Sequence, residues 1–164
     1  MPDSLSLAVQ QLFDLLNAHQ LRVAFAESCT GGLLSHALTQ LPGSSKVFWG
    51  SVVSYENDAK VKLLNVKTDS LQQFGAVSAE VAQEMAEGIL RLSGVSYAIS
   101  ITGIAGPSGG TPTKPIGLVW MALASASKPP QRRAFHFQGS RTEIQQAAAT
   151  AACQWLIENI HHQK

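Results

Sequence analysis

Cysteine is scarce in this chain. Only Cys29 and Cys153 occur, far apart and outside any Cys-x-x-Cys pair, which gives neither a zinc-binding pattern nor a disulfide framework and fits a reducing compartment. Charge is scarce too. Asp, Glu, Lys and Arg make up 14% of 164 residues, and 12 basic against 11 acidic side chains leave a formal net charge of +1. No basic block is longer than Arg132-Arg133, so the electrostatic footprint of a nucleic-acid binder is missing and a small molecule is the expected partner. Polar residues break every apolar run well short of the ~20 residues that a membrane-spanning helix requires, and no basic segment followed by an apolar one opens the chain. The expectation is a cytoplasmic protein that engages neither nucleic acid nor membrane. Internal repeats and polar low-complexity tracts are absent as well. A 45% apolar composition over a length that suits one folding unit predicts a single domain over residues 1–164.

What is present alternates between two periodicities. Leu5, Val9, Leu12, Phe13 and Leu16 recur at helical spacing behind Asp3 and Ser4, either of which can cap a first helix. "RVAFA" (22–26) predicts a strand, "ESCTGG" a glycine turn, and 33–41 a helix stopped by Pro42-Gly43. "VFWGSVVSY" (47–55) is rich in β-branched and aromatic residues and predicts a strand bent at Gly50. Asn57 or Asp58 would cap a short helix holding Lys60, and a further short helix should end at Gly75. Ser78 and Gly94 bracket a longer helix over 79–92. A strand at 95–102 then runs into the glycine- and proline-rich stretch "GIAGPSGGTPTKPIG". Strands at 116–124 and 132–138 form an antiparallel hairpin, and the capping box Ser140-x-x-Glu143 opens a last helix over 141–160. This order predicts an α/β fold: a three-layer α/β/α sandwich with a mixed, mostly parallel sheet of about five strands.

In such sheets ligands sit at the carboxyl ends of the strands. Both "ESCTGG" and "TGIAGPSGG" follow strands, yet their spacing matches neither the Walker pattern nor Gly-x-Gly-x-x-Gly. The long glycine loop is either a ligand loop or a surface Ω-loop. Ser28, Cys29 and Thr30 are either a nucleophile turn or a helix cap with packing neighbours. None of the histidines (His19, His36, His136, His161, His162) sits in a Gly/Asp-rich turn, so a Ser-His-Asp triad is poorly supported. Lys60, behind Tyr55, Glu56 and Asn57, is either an exposed helical lysine or a general base. The second role needs its pKa to fall from ~10.4 to ~7 or 8. Arg141, in the first turn of a helix, could clamp a phosphate or carboxylate.

Four segments in order, "AESCTGG", "LPGSSKVFWGSVVSYENDAKVKLL", "GAVSAEVAQEMAEG" and "SITGIAGPSGGTPTKPIGLVW", resemble the CinA C-terminal domain family, known as nicotinamide mononucleotide amidohydrolases of the PncC type. The resemblance runs from about the first helix to the last. It implies an α/β/α sandwich and hydrolysis of the carboxamide of nicotinamide mononucleotide to nicotinate mononucleotide and ammonia, a pyridine-nucleotide recycling reaction, with no cofactor and no metal. The resemblance is to the stand-alone form, expected without the larger N-terminal domain of full-length CinA proteins. The polar positions associated with the family's active site match here as Ser28, Ser45, Tyr55, Lys60, Thr102 and Arg141. Glu56 stands where many relatives have serine, adding a carboxylate that could repel a phosphate or tune Lys60.

Amide hydrolysis needs a nucleophile, a proton shuttle and donors for the oxyanion. The expectation is a Ser-Lys amidase with Lys60 as base, Ser45 as favoured nucleophile and Ser28 as its rival, assisted by Tyr55 and Thr102. Thr30, Gly31 and Gly32 at a helix N-terminus, and Gly103, Gly106, Gly109 and Gly110 in the long loop with Arg141, share the oxyanion and the phosphate between them. The alternatives are a cysteine amidase using Cys29 and a catalytically silent nucleotide-binding module associated with competence or damage. The Ala-rich last helix suggests an apolar surface for a homodimer.

Overall fold

The computed structural model describes residues 1–162. Helix α1 (Ser4–Ala18) starts where Asp3 accepts the Ser6 amide at 2.8 Å. It is followed by β1 (Val23–Glu27), α2 (Leu33–Thr39), a 3-10 turn at Ser44–Lys46 and β2 (Phe48–Val53). Two short helices, α3 (Asn57–Leu64) and α4 (Thr68–Phe74), precede α5 (Ala79–Ser93), which is capped by the Ser78 hydroxyl and closed by Gly94 in the left-handed region. β3 (Tyr97–Gly103), β4 (Leu118–Ser125) and β5 (Gln131–His136) complete the sheet, and the Ser140/Glu143 capping box opens α6 (Arg141–His161). No helix among the described residues is long and apolar enough to cross a membrane.

The strands lie in the order β2-β1-β3-β4-β5. β1 is parallel to both β2 and β3, and β4 is antiparallel to both β3 and β5. The result is a mixed sheet in which β4 alone runs against the rest. All five residues of β1 are buried, as a strand covered on both faces requires. On one face α1, α2 and α6 pack Leu12, Leu16, Leu34, Leu38, Ile144 and Leu156 against Phe25, Ile99 and Met121. On the other, α5 lies on a floor of small residues, its Ala82 and Ala86 meeting Ala122 and Ala124. Met85 and Ile89 pack among Ala24, Ala26 and Ala98. The alanine floor lets α5 come close to the sheet, and α3 and α4 complete this third layer.

Local details differ from the sequence expectation. Neither Asn57 nor Asp58 caps α3; Glu56 is the N-cap and makes no side-chain cap bond. The bend in β2 is a register shift, with Val23 opposite Phe48 and Ala24 opposite Gly50, whose φ of 149° suits glycine. The apolar face of α6 is spent inside the chain: Ala148, Ala149, Ala152, Cys153, Trp155 and Ile160 are buried in the core with α1.

Candidate active site

β1 ends on Glu27, and the chain then turns through Ser28–Gly32 into α2. Backbone pairing runs one residue past the strand on both sides: the Ser28 amide donates to Ile101 O at 2.9 Å and the Ser54 amide donates to Glu27 O at 2.9 Å. Glu27 is fully buried, and no cation neutralises it among the described residues. Its carboxylate instead accepts from Thr30 Oγ1 at 2.7 Å, from the Leu34 and Ser35 amides at 3.0 Å each, and from the Ser35 hydroxyl. α2 has only Gly32 at its N-cap, with no side-chain cap bond, so Glu27 supplies the cap from the preceding strand.

That arrangement changes the roles expected of this turn. The helix N-terminus proposed as an anion cradle is already occupied by a carboxylate, and the Thr30 hydroxyl points at Glu27. Gly31 and Gly32 turn the chain with φ of 61° and 99°. The amides of Cys29, Thr30 and Gly32 make no hydrogen bond among the described residues and remain available as donors. The Cys29 thiol is buried and its pKa is raised to about 12, chiefly by burial, which disfavours the thiolate that a cysteine nucleophile needs.

Lys60 comes to the same place from α3. It is 1% exposed, and its Nζ lies 3.0 Å from Ser28 Oγ and 2.7 Å from Ser54 O. No carboxylate pairs with it among the described residues. Burial therefore pushes its pKa below the ordinary lysine value, with only the field of Cys29 opposing. Nζ donates to both oxygens, and once deprotonated it can take the Ser28 proton across the same contact while still donating to the Ser54 carbonyl. Ser54 Oγ, on the residue whose carbonyl accepts from Lys60, is buried and has no hydrogen-bond partner among the described residues.

The rim is built by α6 and two loops. Arg141, the first residue of α6, donates from one nitrogen to Tyr55 Oη at 2.7 Å and from another to Gly106 O at 2.8 Å. One turn on, Gln145 donates to Cys29 O at 2.9 Å, a contact with no signal in the sequence. The long loop after β3 is folded: a Cβ at Gly106 or Gly110 would run into Ile116, and Lys114 ties the loop to Phe74 O. Pro107, Ser108, Gly109 and Gly110 stay exposed. Gly103 closes β3. Thr102 is 1% exposed and donates to Ala76 O at 2.9 Å, a bond that holds the turn before α5. Among the described residues no His, Cys, Asp and Glu side chains gather into a group able to hold a metal ion.

Ser45 does not join this cluster. It sits exposed in the 3-10 turn before β2, whereas Ser28 and Lys60 lie beyond the carboxyl end of the sheet's parallel strands. Six residues of β2 separate the two ends, about 20 Å at strand rise. Within one chain, Lys60 bonds Ser28.

An α/β/α domain with a buried lysine on a serine hydroxyl at the carboxyl edge of its sheet has the makings of a serine-lysine site. The chain matches the model of the CinA C-terminal domain over residues 6–160 and belongs to that family. It is 54% identical over 139 residues to a CinA-like protein of Syntrophomonas wolfei, a match covering 85% of this chain and 33% of that relative. With a CinA-like protein of Endomicrobium trichonymphae it shares 49% identity over 142 residues, 87% of this chain and 33% of the relative. The chain thus spans about a third of the length of these relatives. Among solved structures it superposes on the competence/damage inducible protein CihA of Agrobacterium tumefaciens with a TM-score of 0.93 at 39% identity, covering 96% of both chains. The competence damage-inducible protein A of Klebsiella pneumoniae gives 0.94 at 31% identity over 99% of this chain and 100% of that one.

Proposed function

We propose that this protein hydrolyses the carboxamide of nicotinamide mononucleotide, with Ser28 as nucleophile and Lys60 as its base. The observation that carries this reading is a lysine at 1% exposure, without a counter-ion among the described residues, 3.0 Å from a serine hydroxyl. Ser28 gives its proton to the neutral Lys60 amine as Oγ bonds to the carboxamide carbon. The carbonyl electron pair moves to oxygen, where the unpaired amides of Cys29 and Thr30 can meet it. Collapse breaks the C–N bond, and Lys60 returns the proton to the departing nitrogen, which leaves as ammonia. Water then attacks the ester, loses a proton to Lys60, and collapse restores the Ser28 hydroxyl and releases the acid. With the α2 N-terminus occupied by Glu27, the phosphate falls to Arg141 and the exposed amides of Ser108, Gly109 and Gly110.

Ammonia release from nicotinamide mononucleotide should fall by about 10³-fold or more in Ser28→Ala and in Lys60→Ala, and mass spectrometry of a quenched reaction should find the acyl group on the peptide holding Ser28. An acyl group on Ser45 would move the nucleophile. Tight binding of the nucleotide by a wild type that releases no ammonia would replace the enzyme with a silent binding module.

A further inference from the structure

We propose that Gln145 is a positioning residue for the oxyanion: by holding the Cys29 carbonyl from α6, it fixes the Thr30 N–H as the donor that meets the negative oxygen formed when Ser28 attacks. The identity of that anion rests on the amidase reading above; the fixing of the amide does not. In the turn after β1, every backbone oxygen of residues 28–30 is bonded. Ser28 O accepts from the Gly31 amide at 3.0 Å, Thr30 O accepts from the Leu33 amide at 3.0 Å, and Cys29 O accepts from Gln145. The Ser28 amide is spent on Ile101 O and the Thr30 hydroxyl on Glu27. The backbone groups of these three residues left unpaired among the described residues are both donors, the amides of Cys29 and Thr30. Yet Thr30 is only 3% exposed. Buried backbone N–H groups are nearly always paired, so an orphan in a turn bonded this fully is a donor kept for a ligand.

Gln145 sets the direction of that donor. A trans peptide is planar, with its C=O and N–H pointing to opposite sides. The 2.9 Å bond from Gln145 to Cys29 O therefore turns the Thr30 N–H away from α6, whose layer lies across the sheet from the α3 layer that carries Lys60. A donor on the carbonyl also polarises the peptide and strengthens its N–H. The prop itself is rigid. Arg141 lies one turn earlier on the same face of α6 and ties the helix to Tyr55 Oη and Gly106 O, while the Ser140/Glu143 box closes the helix start. A group set from a helix anchored in this way is held more closely than one set from a loop. Thr30 is thus gripped twice, through its hydroxyl by Glu27 and through the preceding carbonyl by Gln145.

Gln145→Met keeps a similar volume and removes the donor, whereas Gln145→Arg returns N–H groups on a long side chain. Gln145 is only part-buried, and circular dichroism checks that both variants are folded. With nicotinamide mononucleotide as substrate, kcat should fall about tenfold in Gln145→Met, less than the roughly 10²- to 10³-fold cost of losing an oxyanion donor outright, with KM within about twofold. The pH profile should not move, because Lys60 is untouched, and Gln145→Arg should recover most of the loss. An unchanged kcat in Gln145→Met, a loss confined to KM, or a loss that Gln145→Arg does not recover overturns the proposal. Nitrogen-15 relaxation of the full chain reads the amide itself without substrate. The Thr30 order parameter should fall from about 0.85 toward about 0.6 in Gln145→Met, with its amide nitrogen shift displaced, and both should return in Gln145→Arg. A Thr30 amide indifferent to Gln145→Met overturns the positioning role. A wild type that released no ammonia would end the amidase reading, and the relaxation data would still decide whether Gln145 fixes the Thr30 amide.

Discussion

Glu27 ties the Ser28 turn to the start of α2. Its buried carboxylate accepts from two amides and two hydroxyls, and only an acceptor-only group satisfies all four donors. Glu27→Gln keeps the size but aims an N–H₂ at one pair of donors, leaving buried groups unpaired at about 1–3 kcal/mol. Because the carboxylate bonds Thr30 and the start of α2 and makes no bond to Arg141 or Gly106, kcat should fall by at least tenfold with KM nearly unchanged, alongside a lower unfolding midpoint; steady-state kinetics and urea unfolding read the two effects. A variant that loses stability but keeps kcat would make Glu27 a fold residue only. The sequence displayed this acid without revealing its role. The usable signal was negative: α2 begins behind two glycines and has no Ser, Thr, Asp or Asn at the N-cap, so its cap had to come from elsewhere. Ser45 shows how sequence distance misleads about spatial distance within one chain. It lies closer to Lys60 in sequence than Ser28 does, but a strand running the length of the sheet separates the two, while Ser28, 32 residues away from Lys60, meets it because β1 and β2 are parallel neighbours.

At the scale of elements, the position of Lys60 depends on how closely α3 lies against α5. Gly88 sits inside α5, where glycine costs about 1 kcal/mol relative to alanine, and a Cβ there would collide with the Leu64 carbonyl at the end of α3. The backbone carbonyl cannot swing aside as a flexible side chain would. Gly88→Ala should therefore lose more through overpacking, about 1–3 kcal/mol, than it gains in propensity, and the shift it forces on α3 should lengthen the Lys60–Ser28 contact. Denaturant unfolding should show net destabilisation, and kcat should fall further than the loss of folded protein explains. Elements of this kind were legible wherever local chemistry marks an end: Asp3, Ser78 with Gly94, the Ser140/Glu143 box and the β4–β5 hairpin all occur as their residues predict. The 3-10 turn and the cap of α3 were not, because backbone geometry and packing fix them without a signature residue.

For the whole molecule, the buried lysine is a standing cost to stability. Unfolded, Lys60 has the ordinary lysine pKa of 10.5; folded, burial holds it lower. Between the folded value and 10.5 the unfolded chain binds one more proton than the native one, so this group makes stability rise with pH through that window. Below the folded value the penalty is full, and above 10.5 it vanishes. Tyr97, Cys29 and Cys153 act in the reverse sense in alkali, since burial raises their pKa and the unfolded chain ionises first. Total stability against pH therefore mixes two opposed trends, and the difference between wild type and Lys60→Met isolates the lysine. Methionine fills a similar volume without a charge to desolvate. Lys60→Met should release no ammonia and yet melt higher than wild type at neutral pH, by about 2–4 °C for each kcal/mol relieved in a domain of this size. The gap should be widest in acid and should close as pH rises toward 10.5. Calorimetry of both proteins over that range gives the curve directly. A gap that stayed constant with pH would mean that Lys60 is equally protonated in the folded and unfolded chain, and a lysine in that state could not serve Ser28 as a base.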